Sequence, residues 1–311
     1  MANERMVWGN WTDAAESALN GVPRPAFETQ LRRQLERQVM AITVEARKGS
    51  NMAQATQEAA TGADYKREGF TTVTPYITVQ RIEEFMEFAK AAFDAVETYK
   101  AGGSAGGFHC ELRIGTSMLM AGGGGTYGGP WKPTALHIQV ANCDESYERA
   151  MAAGAESLYP PEDKPYGERQ AGVTDPAGNM WFIATPFPNA PRLEGVRTVT
   201  PFILRGGALE MIDFLKRAFA AREVGVHKSP EGQLIHGSFW IGDSLIELGS
   251  VDFGPSAFYL SVPDSDAAYK QAIEAGATGV QPPANMPYGV RMGTVTDEWG
   301  TTWYLTAPLS A

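Results

Sequence analysis

The chain is poor in cysteine, in basic charge and in long apolar runs. Its 311 residues hold only two cysteines, Cys110 and Cys143, with no CxxC pair. That excludes a disulfide framework and makes the reducing cytoplasm the expected compartment. No apolar run approaches the roughly 18 residues that a membrane helix needs, so no membrane partner is expected. Met1 to Met6 lead into no apolar stretch of the kind a secretory signal carries. Lys and Arg number 26 against 36 Asp and Glu, a net charge of −10. An acidic surface repels phosphate, so no nucleic-acid partner is expected either. An HExxH motif is absent. The glycine run 121–129 lacks the Gly-Lys-Ser/Thr ending of a phosphate loop and precedes a strand, which makes it a connector.

What the chain does have is a repeat. Pro165-Tyr166-Gly167-Glu168-Arg169-Gln170-Ala171-Gly172-Val173-Thr174-Asp175 returns as Pro287-Tyr288-Gly289-Val290-Arg291-Met292-Gly293-Thr294-Val295-Thr296-Asp297. Gly178 and Trp181 follow the first copy, Gly300 and Trp303 the second. Thr72-Val73-Thr74-Pro75-Tyr76-Ile77 likewise matches Thr198-Val199-Thr200-Pro201-Phe202-Ile203. Both read as strands, and each is followed by a helical stripe: Ile82, Phe85, Met86, Ala89, Ala92 and Phe93, then Ala208, Met211, Ile212, Leu215, Ala218 and Phe219. Second helices are expected to start at the N-caps Asn142 and Asp264 and to stop before Gly154 and Gly276. Each copy thus reads strand-helix-strand-strand-strand, twice.

Residues 1–67 lie outside the repeat. Phe27, Leu31, Leu35 and Val39 predict one amphipathic helix there, packed on a domain or a partner subunit, and residues 48–68 read as a linker. The organisation is a helical N-terminal extension (1–67), one domain at 68–187, a Pro-rich linker, and a second domain at 196–311.

A double βαβββ unit with Asp175-Pro176-Ala177-Gly178-Asn179-Met180-Trp181 near its end resembles the vicinal oxygen chelate superfamily. That superfamily includes glyoxalase I, extradiol dioxygenases and bleomycin resistance proteins. Thr-Pro-Tyr or Thr-Pro-Phe in the first strand and Tyr-Gly-x-Arg-x-Gly-x-Val-x-Asp resemble its PhnB-like branch. The second copy, Asp297-Glu298-Trp299-Gly300-Thr301-Thr302-Trp303, lacks the Pro. The resemblance implies an α+β fold of tandem domains, each of paired βαβββ modules in the glyoxalase/bleomycin-resistance manner.

Metal-using members of that superfamily take ligands from the first, fourth, fifth and eighth strands of a curved sheet. Those positions fall on Tyr76, Met120, His137 and Phe182 in the first domain, and on Phe202, Glu247, Tyr259 and Tyr304 in the second. With each copy closing on itself, each cavity holds one good ligand, too few for a divalent ion, so no metal and no cofactor is expected. Exchange of halves would bring His137 and Glu247 into one cavity, where two ligands plus water would bind a metal loosely. The connecting loops have similar lengths and do not decide between the pairings.

Strand alternation fills the cavities. In the first, His109, Glu111 and Arg113 form one row that either binds an anion or, as expected of buried charges, satisfies itself, beside Tyr76 and His137. In the second, Phe202, Trp240, Tyr259 and Tyr304 surround Glu247 and His236, a composition suited to a flat, partly apolar ligand. There Glu247 is expected to have a raised pKa, suited to acid–base work with His236. Trp181, Trp303 and the Asp-x-x-Gly turns are expected to be structural, and Cys110 to be inert core. The function this implies is metal-independent binding of a small molecule in the second-domain cavity, in a monomer or homodimer. The alternative is a glyoxalase- or dioxygenase-like enzyme using Glu247 and His236, or a metal held by His137 and Glu247.

Overall fold

The computed structural model describes residues 65–103, 106–190 and 192–309. The helix expected at Phe27 to Val39 lies outside them. Four βαβββ modules follow one another. The first is β1 (Val73–Val79), α1 (Ile82–Phe93), β2 (Val96–Gly103), β3 (Gly107–Ile114) and β4 (Ser117–Gly123). The second is β5 (Ala135–Gln139), α2 (Cys143–Ala152), β6 (Glu156–Lys164), β7 (Glu168–Thr174) and β8 (Met180–Pro186). The third is β9 (Val199–Leu204), α3 (Ala208–Phe219), β10 (Arg222–Lys228), β11 (Leu234–Ile241) and β12 (Ser244–Gly249). The fourth is β13 (Ala257–Ser261), α4 (Ser265–Glu274), β14 (Thr278–Asn285), β15 (Val290–Thr296) and β16 (Thr302–Pro308).

The local chemistry behaves as the sequence predicts. The apolar stripes of α1 and α3 are buried. The Asn142 side chain accepts the Glu145 N–H, and Asp264 accepts those of Asp266 and Ala267, so both second helices start at their caps. The indoles of Trp181 and Trp303 are fully buried and donate to Asp175 and Asp297 at 2.9 and 3.0 Å. Gly178 and Gly300 take φ of 93° and 84° in the turns between. Each Asp also accepts backbone N–H groups of its own turn, which explains the spacing Asp-x-x-Gly-x-x-Trp.

The sheets do not follow the sequence copies. One runs β14-β15-β16-β13-β1-β4-β3-β2, the other β10-β11-β12-β9-β5-β8-β7-β6. Each therefore joins one module of each copy, through Thr74 opposite Tyr259 in the first and His137 opposite Thr200 in the second. This corrects the expectation that each copy closes on itself. The helical cores do follow the copies: α1 and α2 share one apolar cluster with Phe85 and Trp181, α3 and α4 another with Phe214 and Trp303. Mirrored bonds stitch the sheets together. Asp243 accepts the Thr72 N–H and Ser244 the Val73 N–H, while Thr116 and Ser117 accept those of Thr198 and Val199. Convex faces are thus built within a copy and concave faces between copies.

Candidate functional site

The exchange assembles a row of ionisable side chains on the concave face of the second sheet. His137 stands at the centre on β5, opposite Phe182 of β8. Glu247 on β12 lies across β9 from it, beside Phe202. Glu168 on β7 lies across β8 on the other side. His137 Nδ1 lies 3.1 Å from Glu247 Oε1, and its Nε2 lies 3.5 Å from Glu168 Oε1. His236 of β11 follows, its Nε2 3.7 Å from Glu247 Oε2. On the outer side Gln170 donates to Glu168 at 2.6 Å and accepts the hydroxyls of Tyr159 and Tyr166 at 2.5 and 3.2 Å. Phe182 and Phe202 close the wall with ring centroids 5.3 Å apart.

Burial opposes charge on His137, but the Glu247 carboxylate, its hydrogen bond and the charge of Glu168 outweigh it and raise the imidazole to about 9. Burial likewise opposes charge on Glu247, yet His137 and His236 hold it well below the usual carboxylate range. This reverses the expected raised pKa, because the partner that decides it comes from the other copy. Burial, reinforced by the charge of Glu247, raises Glu168 instead, against the pull of His137. The cluster is thus an imidazolium held between two carboxylates. His137 Nε2 is buried and makes no well-aligned hydrogen bond.

These residues do not fit a metal as they stand. Two of the four positions at which the resemblance would place metal ligands are Phe182 and Phe202. The other two, His137 and Glu247, are spent on each other. Among the described residues no group of three or more His, Cys, Asp or Glu side chains is arranged to hold a metal ion.

The first sheet carries the second concave face. Tyr76 lies opposite Met120, and Tyr259 opposite Tyr304, so its four ligand positions hold three tyrosines and a methionine. The rings of Tyr76 and Tyr304 lie 5.2 Å apart. His109 is 3.3 Å from both the Tyr76 hydroxyl and Glu111. Arg113 does not complete this row: it is exposed, and Arg67 forks onto Glu111 instead.

The set assigned to one second-domain pocket is therefore divided. Phe202, His236, Trp240 and Glu247 belong to the second sheet, Tyr259 and Tyr304 to the first with Tyr76, His109 and Glu111. His137 leaves the first set and joins Glu247. Sequence reasoning passed over Glu168 and Arg67. Glu168 occupies the x of Tyr-Gly-x-Arg, where the second copy has Val290, and that mismatch inside an otherwise shared run was its signal.

No protein-family model matches the sequence. Glyoxalase I from Zea mays superposes with a TM-score of 0.60 at 14% identity, over 76% of this chain and 92% of that one. A putative dioxygenase from Bacillus subtilis gives 0.54 at 12%, over 78% and 87%. Paired βαβββ modules, four of them in two eight-stranded sheets, are shared with these proteins, so the chain has the glyoxalase-type fold. Among sequence relatives, an uncharacterized protein of Mycobacterium bovis is 31% identical over 126 residues, 36% of this chain and 83% of that protein. One from Mycobacterium tuberculosis matches equally, over 74% of its length.

Proposed function

We propose that the chain binds a small, partly aromatic molecule without a metal, on the concave face around Glu247, His137 and Glu168. The observation that carries this reading is the fate of the four ligand positions: two are phenylalanines, and two form a pair that satisfies itself. Phe182 and Phe202 offer a ring-stacking wall, and the imidazolium with its two carboxylates offers donors and acceptors beside it. Metal analysis of the purified protein, with thermal stability measured against a panel of aromatic acids and amines, tests it. Less than a tenth of an equivalent of metal together with stabilisation by an aromatic ligand, lost in Glu247→Ala, is the expected result. Stoichiometric metal that disappears in His137→Ala or Glu247→Ala would overturn it.

One observation favours a second reading, proton transfer to a bound substrate. Glu168, its pKa raised by burial, lies 3.5 Å from a cationic His137, which places a carboxyl and an imidazole side by side for acid–base work. A substrate turned over by the wild type and by Glu247→Gln, but not by Glu168→Gln, would select it.

A further inference from the structure

Arg67 sits on the other concave face as a bound ligand would. It stands on a turn closed by the Phe70 N–H donating to the Arg67 carbonyl at 3.0 Å, just before β1. Neighbouring residues pin that turn to the opposite sheet: Lys66 Nζ lies 2.8 Å from Asp243, which also accepts the Thr72 N–H at 2.8 Å. From there the guanidinium meets Glu111 in a two-pronged fork, Nη1 to Oε1 at 2.6 Å and Nη2 to Oε2 at 2.8 Å. It also lies over the Phe70 ring, 4.4 Å from the centroid. Glu111 is only 3% exposed, whereas the Arg67 side chain is 53% exposed. Tyr76, His109, Tyr259 and Tyr304 line the same face. A buried carboxylate floor with aromatic walls suits a planar organic cation, since it supplies a bidentate acceptor and π faces together.

The duplication provides an internal comparison. Thr72 matches Thr198, so the counterpart of Arg67 is Leu193. Ile114-Gly115 matches Ile241-Gly242, so the counterpart of Glu111 is Ser238. The cation and its acceptor are thus present together in one copy and replaced together in the other. The pair serves this one concave face rather than the shared frame.

We propose that this face is a binding site for a guanidinium-bearing small molecule, and that Arg67 is an intramolecular occupant which such a ligand displaces. The asymmetry in burial makes the exchange feasible. Arg67 is half in water on a short turn, so its release costs little hydration. Glu111 is almost fully buried and, once deprived of Arg67, keeps the His109 imidazole 3.3 Å away but loses its two-pronged cation.

The test uses the full chain and methylguanidinium at low millimolar concentration, with methylurea as the uncharged control, read by calorimetric titration. Arg67→Ala is expected to bind methylguanidinium at least ten-fold more tightly than the wild type, and to ignore methylurea. The gain is expected to vanish when Glu111→Gln is added. Equal binding by wild type and Arg67→Ala, or a gain that survives Glu111→Gln, would sink the proposal. If Arg67→Ala does not fold unaided, its unfolding midpoint is followed with each compound. A selective rise with methylguanidinium supports the site, and equal responses to both refute it. Neither outcome depends on Glu247 or its neighbours.

Discussion

Replacing His137 by Gln removes the one cation between two buried carboxylates, and the consequence is a change in how stability depends on pH. The imidazole rises from 6.5 to about 9 on folding, so the native state binds its proton more tightly than the unfolded chain does. A group of that kind stabilises fully below pH 6.5, and the stabilisation drains away as pH climbs through about 9. The rise corresponds to about 3 kcal/mol, with a steepest slope near 1.4 kcal/mol per pH unit. For a chain of this size that is roughly 6–12 °C in the unfolding midpoint. Unfolding midpoints of wild type and His137→Gln, followed from pH 6 to 9.5, are expected to show a decline in the wild type that is largely absent in the variant. Carbon-13 NMR of labelled imidazoles checks the cause directly. The chain has four histidines, and the resonance missing in His137→Gln is expected to titrate near pH 9 in the wild type. Parallel pH profiles in both proteins, or a His137 resonance that titrates below 7, would refute the charge-sandwich reasoning.

Three further outcomes rest on separate contacts. Glu168→Gln removes one of the two carboxylates that hold the proton on His137, so the alkaline decline is expected to begin at lower pH, visible in the same midpoint series. Asp175→Ala strands the Trp181 indole N–H and the Asn179 backbone N–H in the interior, and removes the acceptor of the half-buried Ala177 N–H. A loss of about 3 kcal/mol or more in urea unfolding is expected, because each buried donor without an acceptor costs about 1–3 kcal/mol. Gly123 has φ of 140°, and a Cβ there would lie 1.9 Å from the Val79 carbonyl oxygen, so Gly123→Ala is expected to open the β1–β4 pairing and cost several kcal/mol. Gly102→Ala, with nothing within 4 Å, is the near-neutral control in the same denaturation experiment.

Much of the frame was legible because its causes are local. The Asp175 and Asp297 turns, the caps Asn142 and Asp264, and the stripes of α1 and α3 depend on residues a few positions apart. The candidate sites were legible only in part. Glu247 was identified, but its pKa was read in the wrong direction, because His137 lies 110 residues away on another module. Glu168 was hidden inside a run whose repetition marked it as frame. Arg67 fell at the edge of a segment read as linker, and its partner Glu111 was assigned to Arg113, the nearest cation along the strand.

The sequence by itself determined that there are two copies of two βαβββ modules, where the second helix of each copy begins and ends, and most of the side chains that the strands turn toward the concave face. Alternation, capping and periodicity act over a turn or a strand and leave a direct trace in residue order. Only the tertiary structure decided which modules share a sheet. The copies offer similar edge strands and linkers of similar length, so pairing within and between copies looks alike along the chain. That choice separates Tyr259 and Tyr304 from Glu247, brings His137 to it, and makes one concave face an ionised row and the other an aromatic face capped by Arg67.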